Sequence, residues 1–292
     1  RPELHRGVQP VAEFRREQAV DRGYRGVGIG TGDGLHAEAH GRADHLGGAG
    51  VGGHDQDDVA EIDGPAGAVG QPAGVHDLEQ QREHTFNNLT KVRDFGGFTY
   101  GLRRAHGGEG KPNLATFTLE GLAWVDGSLA IKSGVQWGLF GSAVLNLGTK
   151  EHHLTWLPGI LDLEIPGVFA MTEIGHGSDV SSIGTTATYL PETDEFEIHT
   201  PFKAAWKDYL GNAAVHGKAA AVFAQLIVKG VNHGVHCLYV PLRDDDGNFL
   251  PGVGGEDDGR KGGLNGIDNG RLHFDHVRVP RTNLLNKYGD VD

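Results

Sequence analysis

The residues richest in chemical potential lie in one run, Phe169-Ala170-Met171-Thr172-Glu173-Ile174-Gly175-His176-Gly177-Ser178-Asp179, followed by Thr185-Thr186-Ala187-Thr188-Tyr189. The run reads as a strand ending in a glycine-spaced turn. Such a turn lets backbone N–H groups approach a ligand closely and sets hydroxyls at the strand's end. Donors so placed suit a ring that becomes anionic on reduction, such as a flavin at its pyrimidine edge. They equally suit an ordinary glycine turn in a barrel, and the residue types alone leave both readings open.

Other groupings are weaker. Glu151, His152 and His153 are sequence neighbours that do not share a helix face, and no His-Glu-x-x-His or cysteine pair accompanies them. They read as a solvated helix start, and no metal site is expected. His176-Gly177-Ser178-Asp179 lacks the Gly-x-Ser-x-Gly spacing of a nucleophile elbow. Gly26-Val27-Gly28-Ile29-Gly30-Thr31-Gly32 is glycine-spaced like a dinucleotide loop. Its sixth position is Thr31 counted from Gly26 and Asp33 counted from Gly28, with no strand before it and no amphipathic helix after it. A flexible loop is the plainer reading.

The elements that must position the chemistry fall into three textures. Residues 1–84 are rich in Gly, Asp, His and Gln and contain no Lys, Ser, Asn, Trp or Cys. Beyond a short candidate helix at Val11–Val20 they show no sustained apolar period. They are expected to be disordered or a non-native leader, such as a translation in the wrong frame, with order beginning between Thr85 and Ala115. Residues 85–165 form a partial helical domain. Phe117, Leu119 and Leu122, then Leu129, Ile131, Val135, Leu139, Val144 and Leu147 keep helical spacing. Gly148 and Thr149 mark a stop and a fresh N-cap, and the following helix is expected to lead up to Pro158.

Residues 166–292 read as β-structure. Thr185–Leu190 and Glu195–His199 flank the turn Pro191–Asp194 as a hairpin, and Ala219–Val228 and Val235–Val240 are apolar strands. Arg271–Val279 alternates with a phase slip that suggests a bulge. Strands without intervening helices imply a sandwich or barrel, so the expected fold class is α+β.

The totals exclude several roles. A net charge of −13 over 292 residues disfavours nucleic acid and anionic membrane surfaces. A single cysteine, Cys237, cannot form an intramolecular disulfide. No apolar stretch approaches a membrane span.

Five ordered segments carry a resemblance to a known family. Phe169–Ser178 resembles the F-A-M-T-E-x-G-H-G-S signature of acyl-CoA oxidases and continues into their T-T-A-T-[YF] strand. Lys207–Lys218 is similar to K-x-[WY]-x-G-N-A-A-x-x-G-K, Gly263–Gly270 to G-L-N-G-V-D-N-G, and Arg278–Leu285 to R-[IV]-P-R-x-N-L-L. Gly134–Gly141 fits the family's helical domain. The related acyl-CoA dehydrogenases carry T-E-P-x-A-G-S-D. Here Ile174 replaces that proline, and His176 favours the oxidase branch.

The resemblance covers residues 106–292 and implies the β-barrel middle domain of the acyl-CoA dehydrogenase type, with FAD as cofactor. It implies that Thr172 and Gly211 contact the flavin, flanked by Phe169, Met171, Tyr209 and Leu210, with Ser178 near the acyl-CoA thioester arm. Thr172 and Gly211 are expected to face one another across a groove sized for the ring. The family's catalytic base, a glutamate of a carboxy-terminal helical domain, is expected beyond residue 292, so no catalytic residue is assigned here. The implied reaction oxidises acyl-CoA to trans-2-enoyl-CoA and passes electrons to O₂ as H₂O₂, in a homodimer, with this chain alone inactive. Two alternatives stand: a dehydrogenase that reduces a carrier protein, and a non-catalytic gene-fragment remnant. Composition suits a bacterial cytoplasm, whereas eukaryotic relatives would be peroxisomal.

Overall fold

A computed structural model describes residues 77–96 and 98–291, all within one structural unit. The expectations for residues 1–76, the glycine loop 26–32 among them, lie outside the described residues.

Helix α1 (Leu78–Asp94) begins earlier than the sequence led us to expect and runs across residue 84. Asp77 caps it by accepting a hydrogen bond of 3.0 Å from the Glu79 backbone N–H. Its buried face consists of Arg82, Thr85, Asn88, Leu89 and Val92. Three of those five are polar, so a search for apolar periodicity passes over the first half of the helix.

Helix α2 (Pro112–Val125) starts on a proline whose missing N–H costs nothing there. Asp126 then caps α3 (Gly127–Ser133), accepting from the N–H groups of Ser128 and Leu129. A π-helical segment, Gly134–Gly141, and α4 (Ser142–Leu147) continue the same rod. Thr149 opens α5 (Lys150–Leu161) in a capping box with His152. Pro158 lies inside α5 and does not end it.

Nine strands follow: β1 (Gly167–Ala170), β2 (Thr186–Leu190), β3 (Glu195–His199), β4 (Lys207–Leu210), β5 (Ala219–Val228), β6 (Val231–Pro241), β7 (Val253–Asp257), β8 (Gly270–Phe274) and β9 (Val277–Pro280). In the larger sheet β5 pairs antiparallel with β6 along its length. Its other edge takes β1 and then β2, both parallel. The β2–β3 hairpin leads on to β9. A smaller sheet runs β4-β8-β7.

The near-continuous apolarity of β5, interrupted by Gln225, is explained by what covers its two faces. Ala220, Val222, Ala224 and Leu226 face a core shared with Leu210, Leu272 and Phe274 of the small sheet. Ala219, Ala221 and Phe223 meet Phe140, Val144, Leu157 and Ile160 of the helices. A strand buried on both sides has no reason to alternate. Helices and sheet are also joined through Gln136. Its Nε2 donates to the carbonyls of Ile160 (2.9 Å) and Ile165 (3.0 Å), and its Oε1 accepts from Gly167 N–H at 2.7 Å. Gly167 is glycine because a Cβ there would lie 1.7 Å from the Phe140 ring.

The phase slip in 271–279 is not a bulge. β8 and β9 belong to different sheets, and the chain changes sheet at Asp275-His276, with His276 at φ +54°. Turning a corner resets the alternation as a bulge would, and the two are indistinguishable in one dimension.

Candidate functional site

Two strand ends meet at the site. Beyond β1 the chain passes through Met171, Thr172 and Glu173, and beyond β4 through Gly211 and Asn212. The Asp208 N–H donates to the Thr172 carbonyl at 3.0 Å, which sets the two segments side by side. Beneath them lies an ion pair from which water is excluded, Lys207 with Glu173 at 3.0 Å, both side chains fully buried.

Lys207 uses all three of its donors, to Glu173, to the Met171 carbonyl (3.1 Å) and to the Phe223 carbonyl (2.7 Å). Glu173 accepts in addition from Gly184 N–H (2.7 Å), Thr185 N–H (3.0 Å) and the Thr185 hydroxyl (2.6 Å). Burial pushes the Lys207 ammonium down to about 8, against the attraction of Glu173. Burial alone would raise the Glu173 carboxyl, but Lys207 and the three donors outweigh it and hold it below its ordinary value. Both therefore stay charged at neutral pH.

A second buried network fixes the turn after β4. Lys132 of α3 donates to Asn212 Oδ1 at 2.7 Å and pairs closely with Asp268. Asp268 Oδ2 accepts from the N–H groups of Val215 (3.0 Å) and His216 (2.8 Å). Burial lowers the Lys132 ammonium. Burial opposes ionisation of Asp268 as well, but Lys132 and His216 reverse that and hold its carboxyl far below the usual range. The His216 ring stacks on Phe86 of α1 at 4.4 Å. Asn212 Nδ2 closes the network on the Gly167 carbonyl at 2.7 Å.

Tyr209 and Asn212, at φ +59° and +69°, hold the left-handed conformations that make the turn sharp. The backbone of Tyr209 is pinned at both ends, its N–H to Asp208 Oδ1 (2.9 Å) and its carbonyl to Asn269 Nδ2 (3.1 Å). Its ring is thereby turned outward and is 76% exposed.

Phe169, Met171 and Thr172 are half-buried along one strand end, with Phe169 packed on Phe223 at 4.9 Å. The Thr172 hydroxyl makes no hydrogen bond to any described residue and remains free to donate. Leu210 points into the β core. Gly211 is buried, and a Cβ on it would lie 2.9 Å from Val135 of the π segment. The absent side chain thus admits a helix, which is a different reason for glycine from the ligand approach expected from sequence. Ser178 is exposed on the turn, six residues past Thr172.

Sequence reasoning missed Lys132, Asp268 and the Lys207–Glu173 pair. Three of these lie inside segments already singled out. Lys132 alone interrupts an apolar helical run, and a lysine where that run should be buried was the available signal.

No protein-family model matches the chain. Among curated proteins it is 44% identical over 214 residues to the peroxisomal acyl-coenzyme A oxidase 3 of Arabidopsis thaliana, covering 73% of this chain and 31% of that protein. Among solved structures it is similar to acyl-CoA oxidase 1 of Yarrowia lipolytica, with TM-score 0.67 and 32% identity, over 74% of this chain and 30% of that one. It is also similar to acyl-CoA oxidase-1 of Caenorhabditis elegans complexed with FAD and ATP, with TM-score 0.63 and 32% identity, over 77% and 32% of the respective chains. The chain thus spans about a quarter to a third of the length of the curated relatives it matches. With helices followed by a curled β-domain, in sequence as in fold, it belongs to the acyl-CoA oxidase family.

Proposed function

We propose that this segment is the flavin- and thioester-facing part of an enzyme that oxidises acyl-CoA to trans-2-enoyl-CoA with FAD and reduces O₂ to H₂O₂, in fatty-acid β-oxidation. The observation that carries the reading is the free donor of Thr172, set at a strand end above the buried Lys207–Glu173 pair and beside a turn that the Lys132–Asp268 pair fixes. FAD, when bound, contributes the ring that accepts the β-hydride.

The residues of this chain bind and orient. Thr172 donates, through its hydroxyl or backbone N–H, to the pyrimidine edge of the ring, where charge develops. Phe169 and Met171 form an apolar wall, and the pinned backbone of Tyr209, Leu210 and Gly211 forms the rim. Ser178 lies toward the thioester arm. A cavity of about 360 Å³ lined by Met171, Val180, Phe223, Val235 and Leu285 gives a hydrocarbon chain apolar surface.

Glu173 does not act as the base, because it is fully buried and both its oxygens are engaged, one by Lys207 and Thr185 and the other by Gly184. By family resemblance that role falls to a glutamate of a carboxy-terminal helical domain, and the same resemblance supports a homodimer as the active form. Composition suits a bacterial cytoplasm, and the peroxisomal relative from Arabidopsis thaliana supports a peroxisome if the source is eukaryotic. No helix among the described residues is long and apolar enough to cross a membrane.

The test is bound-flavin absorbance per chain, in a form lengthened by a relative's carboxy-terminal domain. Gly211→Leu is expected to lose more flavin than Thr172→Val. Full occupancy with unchanged turnover in Gly211→Leu would refute the placement. One H₂O₂ per enoyl-CoA is expected; enoyl-CoA formed only with an added electron carrier would move the reading to a dehydrogenase.

A further inference from the structure

Where the chain changes sheet between β8 and β9, the structure gathers a cluster that the oxidation chemistry does not use. His199 ends β3, Glu197 lies two residues before it on the same face, and Asp275 and His276 form the corner. Asp275 Oδ1 lies 3.8 Å from His199 Nδ1 and 3.8 Å from His276 Nε2. One ligand atom from each of His199, Asp275 and His276 falls within 4.8 Å of the others. The two imidazole rings are stacked, 4.1 Å between centroids and 17° from parallel.

Two further observations concern the tuning of the cluster. His199 Nδ1 is shielded from solvent and has no hydrogen-bond partner, so a nitrogen directed at the centre of the group is left unsatisfied. Glu197 Oε1 lies 3.0 Å from His276 Nδ1 and so fixes which ring nitrogen faces Asp275. A carboxylate on the far nitrogen of a histidine is the usual outer support of a metal-ligating imidazole.

The geometry points to a divalent transition-metal site of the zinc class, with His199 Nδ1, His276 Nε2 and Asp275 Oδ1 as ligands, Glu197 as the outer carboxylate, and solvent completing the shell. Ligands on a tetrahedral Zn²⁺ at about 2.1 Å lie roughly 3.3 Å apart. The spacings, 3.8 Å from Asp275 to each ring and within 4.8 Å overall, therefore need a contraction of about half to one and a half ångströms. The exposed His276 ring must also turn out of the stack, since an ion lies in the plane of each imidazole that binds it. Two imidazoles with one carboxylate suit Zn²⁺, Ni²⁺ or Cu²⁺, whereas Mg²⁺ and Ca²⁺ prefer all-oxygen sites. A bound ion would join β3 of the larger sheet to the corner through which the chain leaves the smaller one.

The probe is Zn²⁺ itself, titrated into the whole chain by calorimetry and followed in parallel by ¹⁵N-histidine NMR, since the chain holds 17 histidines. We expect one equivalent to shift the ring signals of His199 and His276. Affinity for that equivalent should fall at least tenfold in His199→Gln, His276→Gln and Asp275→Asn, and about tenfold in Glu197→Gln. Asp275 and His276 are exposed and Glu197 and His199 half-buried, and folding of each variant is checked by an unchanged thermal midpoint without metal. Affinity and stoichiometry unchanged in both histidine variants, or Zn²⁺-induced shifts confined to other histidines, would overturn the assignment.

Discussion

Lys207 and Glu173 illustrate how a buried charge is tolerated: all three donors of the ammonium are used and both carboxylate oxygens accept. Removing one partner leaves the other charged and dry, so Lys207→Met is expected to cost about 3–5 kcal/mol in a denaturant titration. The double variant Lys207→Met/Glu173→Leu should recover part of that loss, because neither charge is then stranded. A double variant as unstable as the single one would mean that the hydrogen bonds to Gly184 and Thr185, not the charge, hold the site. At Gly211 the reasoning is steric. Gly211→Ala places a methyl 2.9 Å from Val135, and overpacking of this kind costs about 1–3 kcal/mol. Trimming the partner in Gly211→Ala/Val135→Ala should relieve that strain. The double variant also separates a packing defect from a direct obstruction of flavin, by melting temperature against flavin occupancy.

Among the elements, α1 carries a polar buried face and depends on specific partners for its docking. Arg82 makes a bidentate pair with Asp257 at 2.6 and 2.7 Å. Thr85 packs so closely on Gly266 that a Cβ there would lie 1.9 Å from its hydroxyl, and Phe86 covers His216. Arg82→Ala should therefore free α1 before the sheet. Asp257 is partly exposed and can regain water, so the cost is expected at about 1–3 kcal/mol. Hydrogen exchange tests this: amides of α1 should lose protection while those of β5 keep theirs. Equal loss in both would make α1 part of the same cooperative unit as the sheet.

At the scale of the whole molecule, acid should unfold this protein through its buried carboxylates. Glu173 and Asp268 both have folded values below their ordinary ones. Below about pH 5 the unfolded chain binds more protons than the folded one. The stability these groups contribute is therefore complete above their unfolded values of about 4, begins to be lost as pH falls through them, and goes on falling toward their lower folded values. Asp268→Asn should be less stable at pH 7 but show a flatter acid limb between pH 5 and 3; an unaltered limb would place the acid sensitivity elsewhere. The single thiol reports the same transition. Burial pushes Cys237 far up from its ordinary value and shields it, so Ellman's reagent should titrate it only as the chain unfolds, with the midpoint of the optical transition. Stoichiometric labelling in native buffer would show that the cavity beside it opens to reagent.

What the sequence determined by itself is whatever short-range chemistry repeats along the chain. The β2–β3 hairpin follows from strict alternation around Pro191–Asp194, the Thr149 cap from its residue type, and the two strand ends of the site from segments whose local spacing is distinctive. Tertiary structure decided what depends on which surface meets which. Polar α1 is a buried helix only because Asp257, Gly266 and His216 await it. The slip at Asp275-His276 is a change of sheet because β8 and β9 find different partners. Gly211 faces Val135, and lone Lys132 becomes the tie to Asp268, across 136 residues of chain. Pairings at that separation leave no period in the sequence, because the interaction that selects each residue type lies on another element.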